Sequence, residues 1–330
     1  MRVCNFWFIT CIFTIVTVPW ICLCDALFVK KLVNNEASDG IGNKLQMIFY
    51  EGQSGANARS SSYKLYRSKE LMGRLDLSKP FVLYIHGYEE HPSNESCQTI
   101  VSAYLRRGTD NIVLLDWSSL AFDNYITVYF RIKDIARHTA EAVKNLVLGG
   151  LSVDTLHIVG HSMGGQVAGF IGQYLDFVLP RVTGLDPANP LFYHFGADHI
   201  SEKSARQVDI IHTDGGLYGA FERTGRTDFF PNGGGRPQPG CHLIGLPLSP
   251  KDLCSHWRSW RYYAESVVHN EAFPALACNS LASFQQGLCD NNNIVHMGYA
   301  MPKNTSGTFF LTTTNASPFG KGINGVRRKE

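Results

Sequence analysis

The chain has 330 residues, 44% of them hydrophobic and 18% charged, which excludes intrinsic disorder and allows one large or two ordinary domains. Thirty Lys+Arg against twenty-eight Asp+Glu leave a net charge of +2, so no basic excess marks a nucleic-acid partner. The first element in the chain is a leader: Arg2, an apolar run from Phe6 to Cys24, and the small-x-small step Cys24-Asp25-Ala26. This pattern predicts a secretory signal peptide over residues 1–26, cut after Ala26. A membrane anchor is the competing reading, since the run approaches the roughly 20 residues that span a bilayer. The extreme N-terminal position and the cleavage pattern favour the signal. No later segment reaches spanning length without charges, so the mature chain, 27–330, reads as secreted and extracellular, with no transmembrane segment.

Short apolar, β-branched runs then alternate with helical stretches. Phe81–Ile85, Ile112–Leu115, Leu156–Val159, Val182–Leu185 and Val208–Ile211 read as buried strands. Val128–Leu148 and Gly165–Phe177 read as helices. The alternation predicts an α/β fold with a mostly parallel central sheet covered by helices on both faces. Function gathers at the carboxyl ends of strands in such sheets. The Gly/Pro-rich stretch Pro231–Gly240 reads as a loop within one domain, and the basic tail Gly320–Glu330 as frayed. Removing the signal leaves Cys97, Cys241, Cys254, Cys278 and Cys289. In an oxidising compartment the economical pairs are Cys241–Cys254 and Cys278–Cys289. Cys97 is left over, free or paired with Cys24 if cleavage falls earlier. Asn94-Glu95-Ser96, Asn304-Thr305-Ser306 and Asn315-Ala316-Ser317 are glycosylation sequons, the last weakened by Pro318.

Gly160-His161-Ser162-Met163-Gly164 matches G-x-S-x-G between a predicted strand and a helix rich in small residues. The turn must be so tight that only glycines fit beside the serine, which lifts Ser162 clear of the sheet as a nucleophile. A serine hydroxyl needs an adjacent base oriented by a carboxylate. In this strand–turn–helix setting the order is serine, acid, histidine. Asp186, in Gly184-Leu185-Asp186-Pro187, lies just past the next strand; Asp209 and Asp214 are alternative acids. The base comes from His194, His199, His212, His242, His256, His269 or His296. His256, two residues after Cys254, ranks modestly above the rest because a disulfide would pin its loop. His157 and His212 read as core histidines. The oxyanion of acyl transfer takes backbone donors: Met163 N–H after the nucleophile, and Tyr88 N–H in the loop after Phe81–Ile85. The Tyr88 side chain reads as a wall of the site.

Together these pieces resemble the pancreatic-lipase family of α/β-hydrolases, over about Leu65 to Pro318. The resemblance rests on Ile85-His86-Gly87-Tyr88, Leu115-Asp116-Trp117, Gly160–Gly165, Gly184–Pro187, Ile211-His212-Thr213-Asp214, Asp228–Gly234 and Cys254-Ser255-His256. It implies the triad Ser162, Asp186 and His256 and the oxyanion donors Tyr88 and Met163. It also implies a lid closed by Cys241–Cys254, carrying Leu243, Ile244, Leu246 and Leu248. That lid has twelve residues, His242–Leu253, and the loop between Asp214 and Asp228 is short as well. Both features resemble the phospholipase A1 branch. No C-terminal β-sandwich domain is expected within 27–330. Some relatives bind a structural calcium before the strand Val208–Ile211; Ser201 and Ser204 stand there here, so no metal and no cofactor is expected. The expectation is a secreted, monomeric serine esterase cleaving acyl esters of lipids at a membrane or emulsion surface, as phospholipase A1 or triacylglycerol lipase. The alternative is a catalytically silent lipid-binding or yolk-type protein on the same fold.

Overall fold

Apolar runs too short for helices and bounded by turn residues become strands of one large sheet. The computed structural model describes residues 39–55, 58–194 and 196–327. The leader and its cleavage step lie outside the described residues. The strands are β1 (Gln46–Glu51), β2 (Arg59–Lys64), β3 (Phe81–Ile85), β4 (Asn111–Asp116), β5 (Leu156–His161), β6 (Arg181–Leu185), β7 (Gln207–Ile211), β8 (Thr227–Pro231), β9 (Pro274–Ala277), β10 (Ile294–His296) and β11 (Gly307–Leu311). Across the sheet they run β10-β9-β11-β8-β7-β6-β5-β3-β4-β1-β2. From β4 to β11 every neighbour is parallel, while β1–β2 at one edge and β9–β10 at the other pair antiparallel. This is the mostly parallel, doubly covered sheet expected.

The central strands are buried on both faces, so successive residues feed two separate cores. Leu83, Ile85, Val113, Leu115 and Ile158 join one with helix α2 (Tyr125–Leu148) and helix α3 (Met163–Ile171). Val82, Tyr84, Leu114 and Val159 join the other with helix α1 (Glu95–Arg107) and helix α4 (Cys254–Val268). Burying each such aliphatic side chain contributes roughly 1.5–3 kcal/mol. Register carries the consequence for function. Ile85 pairs with Gly160, His161 with Leu185, and Leu185 with Ile211, so the carboxyl ends of β3, β5, β6 and β7 are level. The loops that follow meet at one edge of the sheet.

Some elements differ from the sequence reading. The helix expected over Gly165–Phe177 starts at Met163 and ends at Ile171, followed by a 3-10 turn over Gly172–Tyr174. A side chain at Gly172 would collide with the Ser204 carbonyl, so the backbone there is pressed onto the neighbouring turn. The tail is not frayed up to residue 327. Phe319 and Gly320 N–H each donate to Glu265 at 2.7 Å, and Val326 is buried. Both expected disulfides are present, and Cys97 is free and buried among the described residues.

Candidate active site

Ser162 sits between β5 and α3 with φ 55° and ψ −124°, a left-handed conformation that costs a non-glycine residue of order 1–3 kcal/mol. Its backbone is fixed on both sides. Its N–H donates to Leu185 O at 3.0 Å, and its carbonyl accepts from Gly165 N at 2.9 Å and Ala188 N at 3.1 Å. The flanking glycines are obligatory. A Cβ on Gly160 would fall on the Gly164 carbonyl, and one on Gly164 would fall on the carbonyl oxygens of Ile85 and His86.

Asp186 follows β6 and is fully buried. Its Oδ1 accepts from Thr213 N at 2.7 Å and Asp214 N at 3.1 Å, both just past β7. Its Oδ2 lies 2.6 Å from His256 Nδ1. An ionised carboxylate only accepts, so Nδ1 carries the hydrogen and Nε2 is left as the basic nitrogen. Burial alone would lower the His256 pKa. The Asp186 hydrogen bond and charge, with Asp214 and Glu90 behind it, outweigh burial and raise it. The neutral imidazole is therefore lost as pH falls through a value above that of an ordinary imidazole. His256 is on the first turn of α4, not in a loop as expected, which holds it more rigidly than the disulfide alone would. Among the described residues no hydrogen bond joins the Ser162 hydroxyl to the imidazole. The His256 ring lies 4.7 Å from that of His161, the residue before the serine. Such contacts often tighten only when substrate is bound.

The other candidates have different partners. Asp209 holds Arg181 through two hydrogen bonds, and Thr183 links it to His157. His212 bridges Ala220 O and Asp228 at 2.8 Å each. Asp214 receives Arg236, whose Nη1 also reaches Asp252 at 2.9 Å. Of the candidate bases, His256 is the one bonded to Asp186. Sequence reasoning missed Arg236 and Gly219, because only tertiary contact gives them meaning. A Cβ on Gly219 would land on the Asp186 carboxylate.

The proposed oxyanion donors come from two segments. Met163 is the first residue of α3, where a backbone N–H has no partner within the helix. Tyr88 lies in the loop after β3, beside Gly87. The Tyr88 ring packs edge-on to Tyr125 at 5.3 Å and its hydroxyl donates to Asp123 O at 2.9 Å, as a wall residue would. The flap between Cys241 and Cys254 exposes Leu243, Ile244, Leu246 and Leu248. It is tied down at one end, where Leu248 N donates to Asp252 and to the Tyr218 hydroxyl, each at 3.2 Å. In the segment before β7, Ser201 and Ser204 close a capping box on each other. Among the described residues the group of donors near enough to share a metal is Asp186, Asp214 and His256. Their atoms are already engaged by one another and by Arg236, so they do not fit an ion.

A sequence profile of the family described as Lipase matches residues 40–319. The rabbit (Oryctolagus cuniculus) pancreatic triacylglycerol lipase is 30% identical over 75% of this chain and 58% of its own length. Rabbit hepatic triacylglycerol lipase is 32% identical over 73% of this chain and 54% of its own. Lipase member H of Rattus norvegicus is 31% identical over 78% of this chain and 56% of its own. The chain thus spans little more than half the length of these curated relatives.

Proposed function

From the premise that this chain belongs to the pancreatic-lipase family of α/β-hydrolases, we propose that it is a carboxylic-ester hydrolase acting on lipids through Ser162, His256 and Asp186. The observation that carries the reading is the buried 2.6 Å bond between Asp186 and His256, beside a serine held at φ 55°. Ser162 Oγ attacks the ester carbonyl as His256 Nε2 takes its proton. The carbonyl electrons move onto oxygen, where Tyr88 and Met163 N–H receive them; each such donor is worth about 10²–10³ in kcat. The intermediate collapses, the alcohol leaves with the proton from His256, and Ser162 is acylated. Water, losing a proton to His256, then frees the acid and restores the hydroxyl. Asp186 holds the imidazole and supports its positive charge.

The short flap and the short loop between Asp214 and Asp228 leave room for a bulky head group and support a phospholipase A1 preference over triacylglycerol. The leader supports secretion, and exposure of Asn304 and Asn315 supports glycosylation there. Ser162→Ala is expected to lower ester turnover at least about 10³-fold while the thermal unfolding midpoint is retained. A fluorophosphonate is expected to label the native chain and not the variant. Retained turnover in the variant overturns the assignment. Rates on matched phospholipid and triglyceride emulsions decide the substrate class.

A further inference from the structure

The two oxyanion donors belong to different parts of the chain, so something must fix their separation. Glu90 is placed to do so. It sits in the same loop as Tyr88 and is buried, and its Oε2 accepts from Gly87 N–H at 2.7 Å. The same oxygen lies 3.5 Å from Nδ1 of His161, the residue before the nucleophile. Gly87 is pressed against that elbow: a Cβ there would come within 3.1 Å of His161 Nδ1 and of the Ser162 Cβ. Both His161 ring nitrogens are buried and make no hydrogen bond among the described residues, which leaves the Glu90 carboxylate, 3.5 Å away, as the acceptor within reach of Nδ1. The loop is also held at His86, whose carbonyl accepts from Trp117 Nε1 at 3.0 Å, and at Glu89, whose N–H donates to Ala121 O at 3.1 Å.

We propose that Glu90 is a positioning residue, a carboxylate strut that joins the Tyr88 loop to the Ser162 elbow and so sets the distance between the two oxyanion donors. The inference rests on the ester-hydrolase reading above. The strut is a single oxygen, Oε2, which accepts from both neighbours at once, and its negative charge strengthens both contacts. Burial keeps the His161 ring neutral against the pull of Glu90, so its Nδ1–H remains available to that carboxylate. The groups facing Glu90 are Tyr84 from β3, His86 from the loop after it, Cys97 from α1, His161 from β5 and His256 from α4. The negative charge of Glu90 supports the proton on His256, which gives the strut a second, electrical signature.

The test uses the full chain and a soluble short-chain nitrophenyl ester, with wild-type turnover and its loss in Ser162→Ala as the frame. Glu90→Ala is expected to lower kcat about 10–100-fold with KM changed less than about two-fold, because a misplaced donor weakens the transition state and not substrate binding. Glu90→Gln keeps an oxygen for the Gly87 N–H and is expected to restore kcat to within about five-fold. It removes a negative charge beside His256, so the acidic limb of kcat/KM is expected to move to lower pH. Unchanged kcat in Glu90→Ala overturns the strut while leaving the ester-hydrolase reading intact. If Glu90→Ala does not fold, Glu90→Gln decides, and an unmoved acidic limb overturns the proposal. A wild-type chain no more active than Ser162→Ala overturns the parent reading and the strut with it.

Discussion

A missing methyl group at residue 219 is as necessary to the site as the side chains around it. Gly219 lies in the loop after β7, bridged to Ala188 and to Gly215, with its backbone against the carboxylate of Asp186. A Cβ there would come within 2.3 Å of Asp186 Cγ and both oxygens, so the acid must move. Gly219→Ala is therefore expected to lower kcat at least about 100-fold, since a histidine without its orienting acid loses as much as 10⁴. Overpacking of about 1–3 kcal/mol is expected to lower the unfolding midpoint by roughly 2–10 °C. Gly235→Ala is the control, because the nearest atom to its Cβ would be 3.9 Å away. Unaltered turnover in Gly219→Ala would show that Asp186 has no part in the reaction. At this scale the sequence announced Ser162, its glycines and Asp186, because a tight bend and a proline-fixed loop are local events. Gly219, Glu90 and Arg236 act across separations of 33, 71 and 22 positions, on Asp186, His161 and Asp214.

 Glu90 meets His161, Arg236 meets Asp214 and Gly219 meets Asp186, and no local pattern in the chain pairs those residues.

At the scale of elements, the strands that carry the site were legible because burial on both faces demands unbroken apolar runs. Phe81–Ile85 keeps the bounds read from sequence, and β4 extends the reading Ile112–Leu115 by one residue at each end. The peripheral β9 and β10 are short and their burial is mixed, so they leave a weaker pattern. The helix that carries His256 was hidden for another reason. It opens directly at Cys254, behind a proline- and glycine-rich segment that reads as loop. That junction makes the Cys241–Cys254 bridge part of the candidate site's support, since it fixes the helix end two residues before His256. Closing a loop of this size stabilises a chain by about 3 kcal/mol. Cys241→Ser with Cys254→Ser is expected to lower the unfolding midpoint and to lower kcat further than the fraction unfolded explains, as read from thermal unfolding and turnover on the same preparation. Loss of stability with full turnover by the folded fraction would mean that α4 holds His256 unaided, through the packing of Trp260, Tyr262 and Tyr263 beneath it.

At the scale of the molecule, the level strand ends put the whole constellation on one edge of the sheet, and the flap beside it shows aliphatic side chains to solvent. Ile244 is 77% exposed and Leu246 79%. With a net charge of +2, long-range attraction to an anionic surface is weak, so adhesion to lipid must come from apolar contact. Burying one such side chain contributes roughly 1.5–3 kcal/mol, enough for two of them to decide whether the chain stays at a surface. Ile244→Asp with Leu246→Asp is therefore expected to lower turnover on phospholipid vesicles at least about ten-fold. A soluble short-chain ester, which needs no docking, is expected to be hydrolysed within about two-fold of the native rate, because both side chains are exposed to solvent while the Asp186–His256 pair is buried. Cosedimentation with vesicles is expected to fall in parallel with vesicle turnover. An equal loss on both substrates would place the flap in the shape of the site and leave adhesion to other surfaces of the fold.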